Sequence, residues 1–169
     1  MEMAVLLHDV RSAYNVGSIF RTADAAGVGK VFLSGYTPRP VDRFKRVQKE
    51  IAKTALGATE SLTWEYAKKP DIFLKKLKKE GWALVGVEQD VQAQDYRSCR
   101  PTQKTLFIFG NEVRGLSKAL RDKCDFLIEI PMQGSVVRQT HHPRYTKRGK
   151  ESLNVSVAAG IILFAVLST

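Results

Sequence analysis

Five short apolar runs, at 4–7, 30–34, 83–87, 105–109 and 126–130, recur along the 169-residue chain with helical patterns between them. Runs this short and rich in Val, Leu, Ile and Phe read as strands buried on both faces. Between the first two, Val16, Ile19, Phe20 and Ala23 repeat at helical spacing, and Gly27 is a helix stop. Further helices are predicted over 40–56, 70–81, 116–123 and 152–167. Strands alternating with helices predict an α/β fold, a mostly parallel sheet with helices on both faces. The length predicts a single domain over 1–169.

Charge narrows the choice of partner. Twenty-seven Lys and Arg against seventeen Asp and Glu give a net charge of +10, which favours a polyanion, nucleic acid before an anionic membrane surface. Cys99 and Cys124 match no metal or redox spacing, so a reducing, cytoplasmic compartment is expected. Met1–Asp9 is too short for a signal peptide and lacks a basic leader. The longest apolar run, 155–167, falls short of a membrane span, so no membrane association is expected.

Three stretches carry the polar groups that chemistry needs. The first, 15–23, places Asn15, Gly17 and Arg21 at the opening of the first helix. If Asn15 caps that helix, the stripe Val16, Phe20 and Ala23 faces the sheet and Arg21 points away from it, toward an external ligand. Gly17 would then admit a close substrate approach. The second, 109–117, follows the fourth run and brackets Asn111 and Glu112 with Gly110 and Gly115, at the carboxyl end of a strand where open α/β sheets bind ligands. A carboxylate there can accept a hydroxyl hydrogen bond or cap the next helix. The third joins 130–134 to Ser152, Asn154 and Ser156 at the start of the last helix, whose free N–H groups can receive an anion.

The pattern N-x-G-x-x-x-R-T-A-x-A-x-G at 15–27 resembles the first motif of the SpoU (TrmH-type) RNA methyltransferases. Residues 109–117 resemble their second motif, and 130–134 with 152–158 their third. The resemblance covers nearly the whole chain, in order. It implies a SPOUT-type fold with a deep trefoil knot at the carboxyl end, a homodimer, and methylation of a ribose 2′-hydroxyl with S-adenosyl-L-methionine. By motif position the implied cofactor pocket comprises Val87, Glu88, Gly110, Asn111, Gly115, Ile130, Met132, Ser152 and Leu153. The implied catalytic group is Arg21, supported by Asn15, Glu112 and Asn154. An arginine, always protonated, is a poor base; Arg21 is better read as orienting a phosphate and the hydroxyl and stabilising the developing alkoxide. No metal is expected: His141 and His142 are adjacent, with no carboxylate or thiolate nearby.

One departure from the family pattern stands out. Seventeen residues, 135–151, separate Gly134 from Ser152. Over 135–150 this insertion has five basic residues, no acid and no hydrophobic period, and reads as a long mobile loop that grips RNA. The candidate RNA contacts are Arg138, Arg144, Lys147 and Arg148 in the insertion, with Arg11, Arg39, Arg43, Lys45 and Arg46 elsewhere. With no separate substrate-binding domain ahead of the first motif, RNA is expected to be gripped by this domain and its dimer partner. The last helix is apolar all round and should be buried all round, which a second subunit would achieve. The expected activity is therefore an RNA 2′-O-methyltransferase acting on tRNA, with rRNA second. The alternative is a catalytically inactive RNA-binding protein on the same fold. A Rossmann-type nucleotide enzyme is disfavoured, because no G-x-G-x-x-G turn follows the first strand.

Overall fold

The computed structural model describes residues 1–132 and 152–167. Its strands are β1 (Glu2–His8), β2 (Lys30–Ser34), β3 (Thr63–Ala67), β4 (Ala83–Val87), β5 (Gln94–Asp95), β6 (Lys104–Phe109) and β7 (Phe126–Glu129). The helices are α1 (Ala13–Ala25), α2 (Lys49–Ala55), α3 (Ala58–Ser61), α4 (Pro70–Lys79), α5 (Lys118–Arg121) and α6 (Val155–Leu167). One sheet, ordered β3-β2-β1-β6-β4-β7-β5, contains all seven strands, and every ladder among them is parallel.

The apolar runs became strands because both of their faces are covered. In β1, Met3, Val5 and Leu7 point into a core shared with α1, α2 and α6, while Ala4 and Leu6 point into a second core shared with α4 and α5. Phe107 and Phe109 serve the first core, and Leu106 and Ile108 the second. Fully buried Phe20 anchors α1 on the first core, a burial that contributes roughly 1.5–3 kcal/mol. The two strands the sequence did not reveal lie at or near the edges. In β3, Thr63 and Glu65 are exposed and Trp64 and Tyr66 half-buried, and β5 has two residues.

Three local expectations are corrected. The helix expected over 40–56 is confined to α2; residues 40–48 form a small hairpin closed by the Val41–Val47 bridge. Its cause is Asp42, whose carboxylate accepts the N–H groups of Phe44 and Arg46 at 2.7 and 3.0 Å and so competes with helix formation. Second, Ser12 rather than Asn15 caps α1, its hydroxyl accepting the Asn15 N–H at 3.3 Å. Third, Gly17 faces no ligand. It is buried against α2, where an added Cβ would sit 2.4 Å from the Ile51 carbonyl oxygen, so it permits close helix packing.

In α6, Ala159, Ile162, Leu163 and Val166 are buried, while Val157 and Phe164, seven residues apart on the opposite face, are 49% and 48% exposed. One chain therefore covers half of this helix and leaves the other half at the surface. The passage from β7 to α6, on which a knot depends, falls in 133–151, outside the described residues. The basic insertion, with Arg138, His141, His142, Arg144, Lys147 and Arg148, lies there too.

Candidate active site

In sequence order the chain departs from β1 in one direction to β2 and β3, and later returns to build β4–β7 on its other side. The junction of β1 and β6 is thus a topological switch point, where ligands of parallel sheets bind. Two loops leave its carboxyl edge, 9–12 after β1 and 110–117 after β6. Both Glu112 oxygens span the gap: one accepts the Arg11 N–H and the other the Ser12 N–H, each at 3.0 Å, and Asn15 Nδ2 donates at 3.2 Å. Asn111 Nδ2 donates to the Asp9 carbonyl at 2.9 Å. Asn15 Oδ1 in turn accepts from Asn154 Nδ2 at 3.1 Å, and Asn154 Oδ1 accepts the Ser156 N–H and hydroxyl at 2.8 and 2.7 Å. Side chains from three distant stretches thereby form one polar chain, Glu112–Asn15–Asn154–Ser156.

Burial pushes the Glu112 carboxyl up, but hydrogen bonds from the Arg11 and Ser12 amides, its own amide and Asn15 outweigh it and hold the group below the ordinary range. A lowered folded value means that the unfolded chain binds the proton more readily. The contribution of Glu112 to stability is therefore fully present above the ordinary glutamate value of about 4.3 and is lost as the pH falls through the lower folded value. Glu112→Gln is expected to melt below the parent by a constant interval from roughly pH 8 to 5, with the interval closing in more acid solution. Thermal melts across that range check it.

Beside this chain lies an open cleft. Its floor is the carboxyl ends of three adjacent strands, at Val87 and Glu88, at Phe109 and Gly110, and at Glu129 and Ile130; Leu153, Val155 and Ala158 at the start of α6 complete it. All nine residues expected to line a cofactor pocket border this cleft: Val87, Glu88, Gly110, Asn111, Gly115, Ile130, Met132, Ser152 and Leu153. Glu112 borders it as well. Gln89, Phe109, Glu129, Val155 and Ala158 also line it and were not foreseen as contacts; their position at strand ends and at a helix start was the available signal. Glu88 Oε2 accepts the Leu116 N–H at 2.5 Å and so pins the end of the 110–116 loop. Three glutamates, Glu88, Glu112 and Glu129, border this one cleft of a +10 chain.

Arg21 stands apart from the cleft. It is exposed on α1, in a shallow depression with Ser18, Thr22 and Ala25 of the same helix, Lys53 and Thr54 of α2, and Phe164 of α6. The expected RNA contacts Arg11, Arg39, Arg43, Lys45 and Arg46 are all exposed.

Residues 2–137 match the sequence profile of the SpoU rRNA Methylase family. The chain belongs to that family. A Staphylococcus haemolyticus protein assigned to the TrmH family of tRNA/rRNA methyltransferases is 32% identical over 166 residues, 98% of this chain and 58% of that protein. The SpoU methyltransferase AviRb from Streptomyces viridochromogenes, solved with its cofactor AdoMet, superposes with a TM-score of 0.79 at 28% identity, over 99% of this chain and 57% of that one. An AdoMet-bound rRNA methyltransferase from Sinorhizobium meliloti superposes at 0.80, also at 28% identity, over 98% and 55%. This SpoU family chain thus spans little more than half the length of these relatives, and its parallel α/β sheet is theirs. Among its described residues no helix is long and apolar enough to cross a membrane.

Proposed function

We propose that this SpoU family chain is an S-adenosyl-L-methionine-dependent RNA methyltransferase acting on a ribose 2′-hydroxyl, with tRNA the favoured substrate and rRNA second. The observation that carries this reading is the cleft at the ends of β4, β6 and β7 with the polar chain Glu112–Asn15–Asn154 on its border. The cleft suits the cofactor chemically. Val87, Ile130, Met132, Leu153 and Val155 offer apolar walls for an adenine, and Glu88, Glu112 and Glu129 surround a cation. Bound there, S-adenosylmethionine supplies a methyl group on a positively charged sulfur. The chain's own residues supply position and charge. Asn15 and Asn154, locked to each other and to Glu112, fix the approach of a ribose, while Arg21 holds a phosphate and stabilises negative charge growing on the ribose oxygen. Orientation of this kind can contribute roughly 7–11 kcal/mol to a transfer step.

Cofactor binding is expected to survive chelation. Calorimetry in EDTA should give a saturable heat with S-adenosylmethionine or its demethylated product. No heat with either would overturn the methyltransferase reading. Cys99 and Cys124 are free thiols, consistent with the cytoplasm as the place of work.

We read the protein as a homodimer paired through α6, because the exposed Val157 and Phe164 lie on one face of that helix and Phe164 adjoins the Arg21 depression. Ile162, although apolar, is fully buried within one chain and is not the residue to test. Phe164→Asp is expected to convert a dimer to a monomer in light scattering with the fold retained. A parent protein that is monomeric at micromolar concentration would contradict the pairing.

A further inference from the structure

The hairpin at 40–48 carries an arrangement that neither the cleft nor the polar chain uses. Between 36 and 49 lie five cations, Arg39, Arg43, Lys45, Arg46 and Lys49, against one acid, Asp42. Asp42 is spent inside the hairpin. Its carboxylate accepts the Phe44 and Arg46 amides and pairs with the Arg46 guanidinium at 2.7 Å. Lys45 takes a left-handed backbone, φ 61°, and its N–H bonds to the Asp42 carbonyl at 3.0 Å. These bonds hold the tip outward, leaving Phe44 61% exposed. The Arg43 and Arg46 guanidiniums sit 4.7 and 5.1 Å from its centre. At the hairpin's base Tyr36 is 84% exposed, and Arg39 lies 3.7 Å from the centre of the Tyr66 ring.

The base is fastened to the active-site edge of the sheet. Asp9 Oδ1 accepts the Tyr36 N–H at 2.8 Å, and Thr37 Oγ1 donates to the Leu7 carbonyl at 2.9 Å and accepts the Val10 N–H. Beyond the hairpin, α2 carries Lys53 into the Arg21 depression. Lys53 lies five positions beyond Gln48, about 8 Å along a helix axis.

We propose that this hairpin is a stacking platform for an unpaired nucleotide of the substrate RNA, with Phe44 taking the base and Arg43 and Lys45 the flanking phosphates. The proposal rests on the RNA reading above and adds which part of the RNA is held, and where. An exposed aromatic flanked by planar cations offers a surface on which any unstacked base can lie, whereas a base inside a duplex is already stacked on its neighbours. Five cations against one acid, itself paired with Arg46, favour a polyanion as the occupant of this tip.

The test uses the full chain with a fluorescent stem–loop RNA and its fully paired counterpart. Phe44→Ala is expected to weaken stem–loop binding by about five- to a hundredfold and duplex binding hardly at all. Phe44→Trp should restore binding, with indole emission quenched on addition of the stem–loop. Arg43→Ala should reduce the slope of log affinity on log salt by about 0.7, and Phe44→Ala should leave that slope unchanged. Melting temperatures equal to the parent's show that the variants fold. Parent binding with Phe44→Ala unaltered, or equal weakening for both RNAs, overturns the platform and leaves the RNA reading standing. Failure of the parent to bind either RNA overturns both. Loss in Phe44→Ala of binding to vesicles containing phosphatidylserine, with RNA binding intact, assigns the tip to a membrane surface and overturns the proposal.

Discussion

Arg21→Ala is expected to lower methyl transfer to RNA by on the order of a hundredfold or more, while S-adenosylmethionine affinity stays within a few-fold of the parent. The split follows from where the residue stands. Arg21 is exposed on α1 among Ser18, Thr22 and Lys53, and it does not line the cleft. Removing it leaves every wall of the cleft in place and takes away an oriented positive charge. That charge matters most when the ribose oxygen becomes negative, so the loss should fall on turnover rather than on cofactor binding. Arg21→Lys keeps the charge and loses the planar fork, and should recover only part of the rate. Near-normal turnover in Arg21→Ala would remove the residue from the mechanism.

Gly110→Ala is expected to do the reverse, weakening S-adenosylmethionine binding by on the order of tenfold or more. A Cβ at this position would stand 2.6 Å from the Gly115 carbonyl carbon and 2.7 Å from the Leu116 nitrogen. Both are backbone atoms, so no side-chain rotation relieves the clash, and overpacking of this kind typically costs about 1–3 kcal/mol. The segment that must yield is the floor of the cleft, closed by the Asn111–Gly115 bridge and by the Leu116 N–H on Glu88. Gly29→Ala is the control, because its added Cβ would meet only the Met3 carbonyl oxygen at 3.6 Å. Calorimetry on the two variants reads the difference directly, and equal affinities would show that the 110–116 loop does not form the pocket floor.

What could be read from the residues depended on burial. The central strands β1, β4 and β6 are covered on both faces and appear in the sequence as unbroken apolar runs. The edge strand β3 alternates Glu65 with half-buried Trp64 and Tyr66, and its signal is diluted by polar neighbours. Residues 40–56 misled because Val41, Phe44, Val47 and Ile51 repeat at helical spacing. Phe44 and Val47 are in fact exposed, and Asp42 bends the chain into a hairpin. At the site, the resemblance named ten of the residues that border the cleft and missed Gln89, Phe109, Glu129, Val155 and Ala158. Hydrogen-bond bookkeeping was not legible: nothing in the spacing shows that Glu112 gives its oxygens to the Arg11 and Ser12 amides, or that Ser12 rather than Asn15 caps α1. The Glu112 pairings are set by tertiary approach across roughly a hundred residues of sequence, which no local pattern records, whereas the Ser12 cap spans only three residues.

The central claim is tested most directly by incubating the protein with tRNA and with rRNA in the presence of S-adenosylmethionine deuterated on its transferable methyl group, digesting the RNA to nucleosides, and reading them by mass spectrometry. A deuterated methyl on the ribose of one nucleoside, absent when Arg21→Ala replaces the parent, is the predicted result. A deuterated methyl on a base, or no label in either RNA from protein that binds the cofactor, would contradict the account.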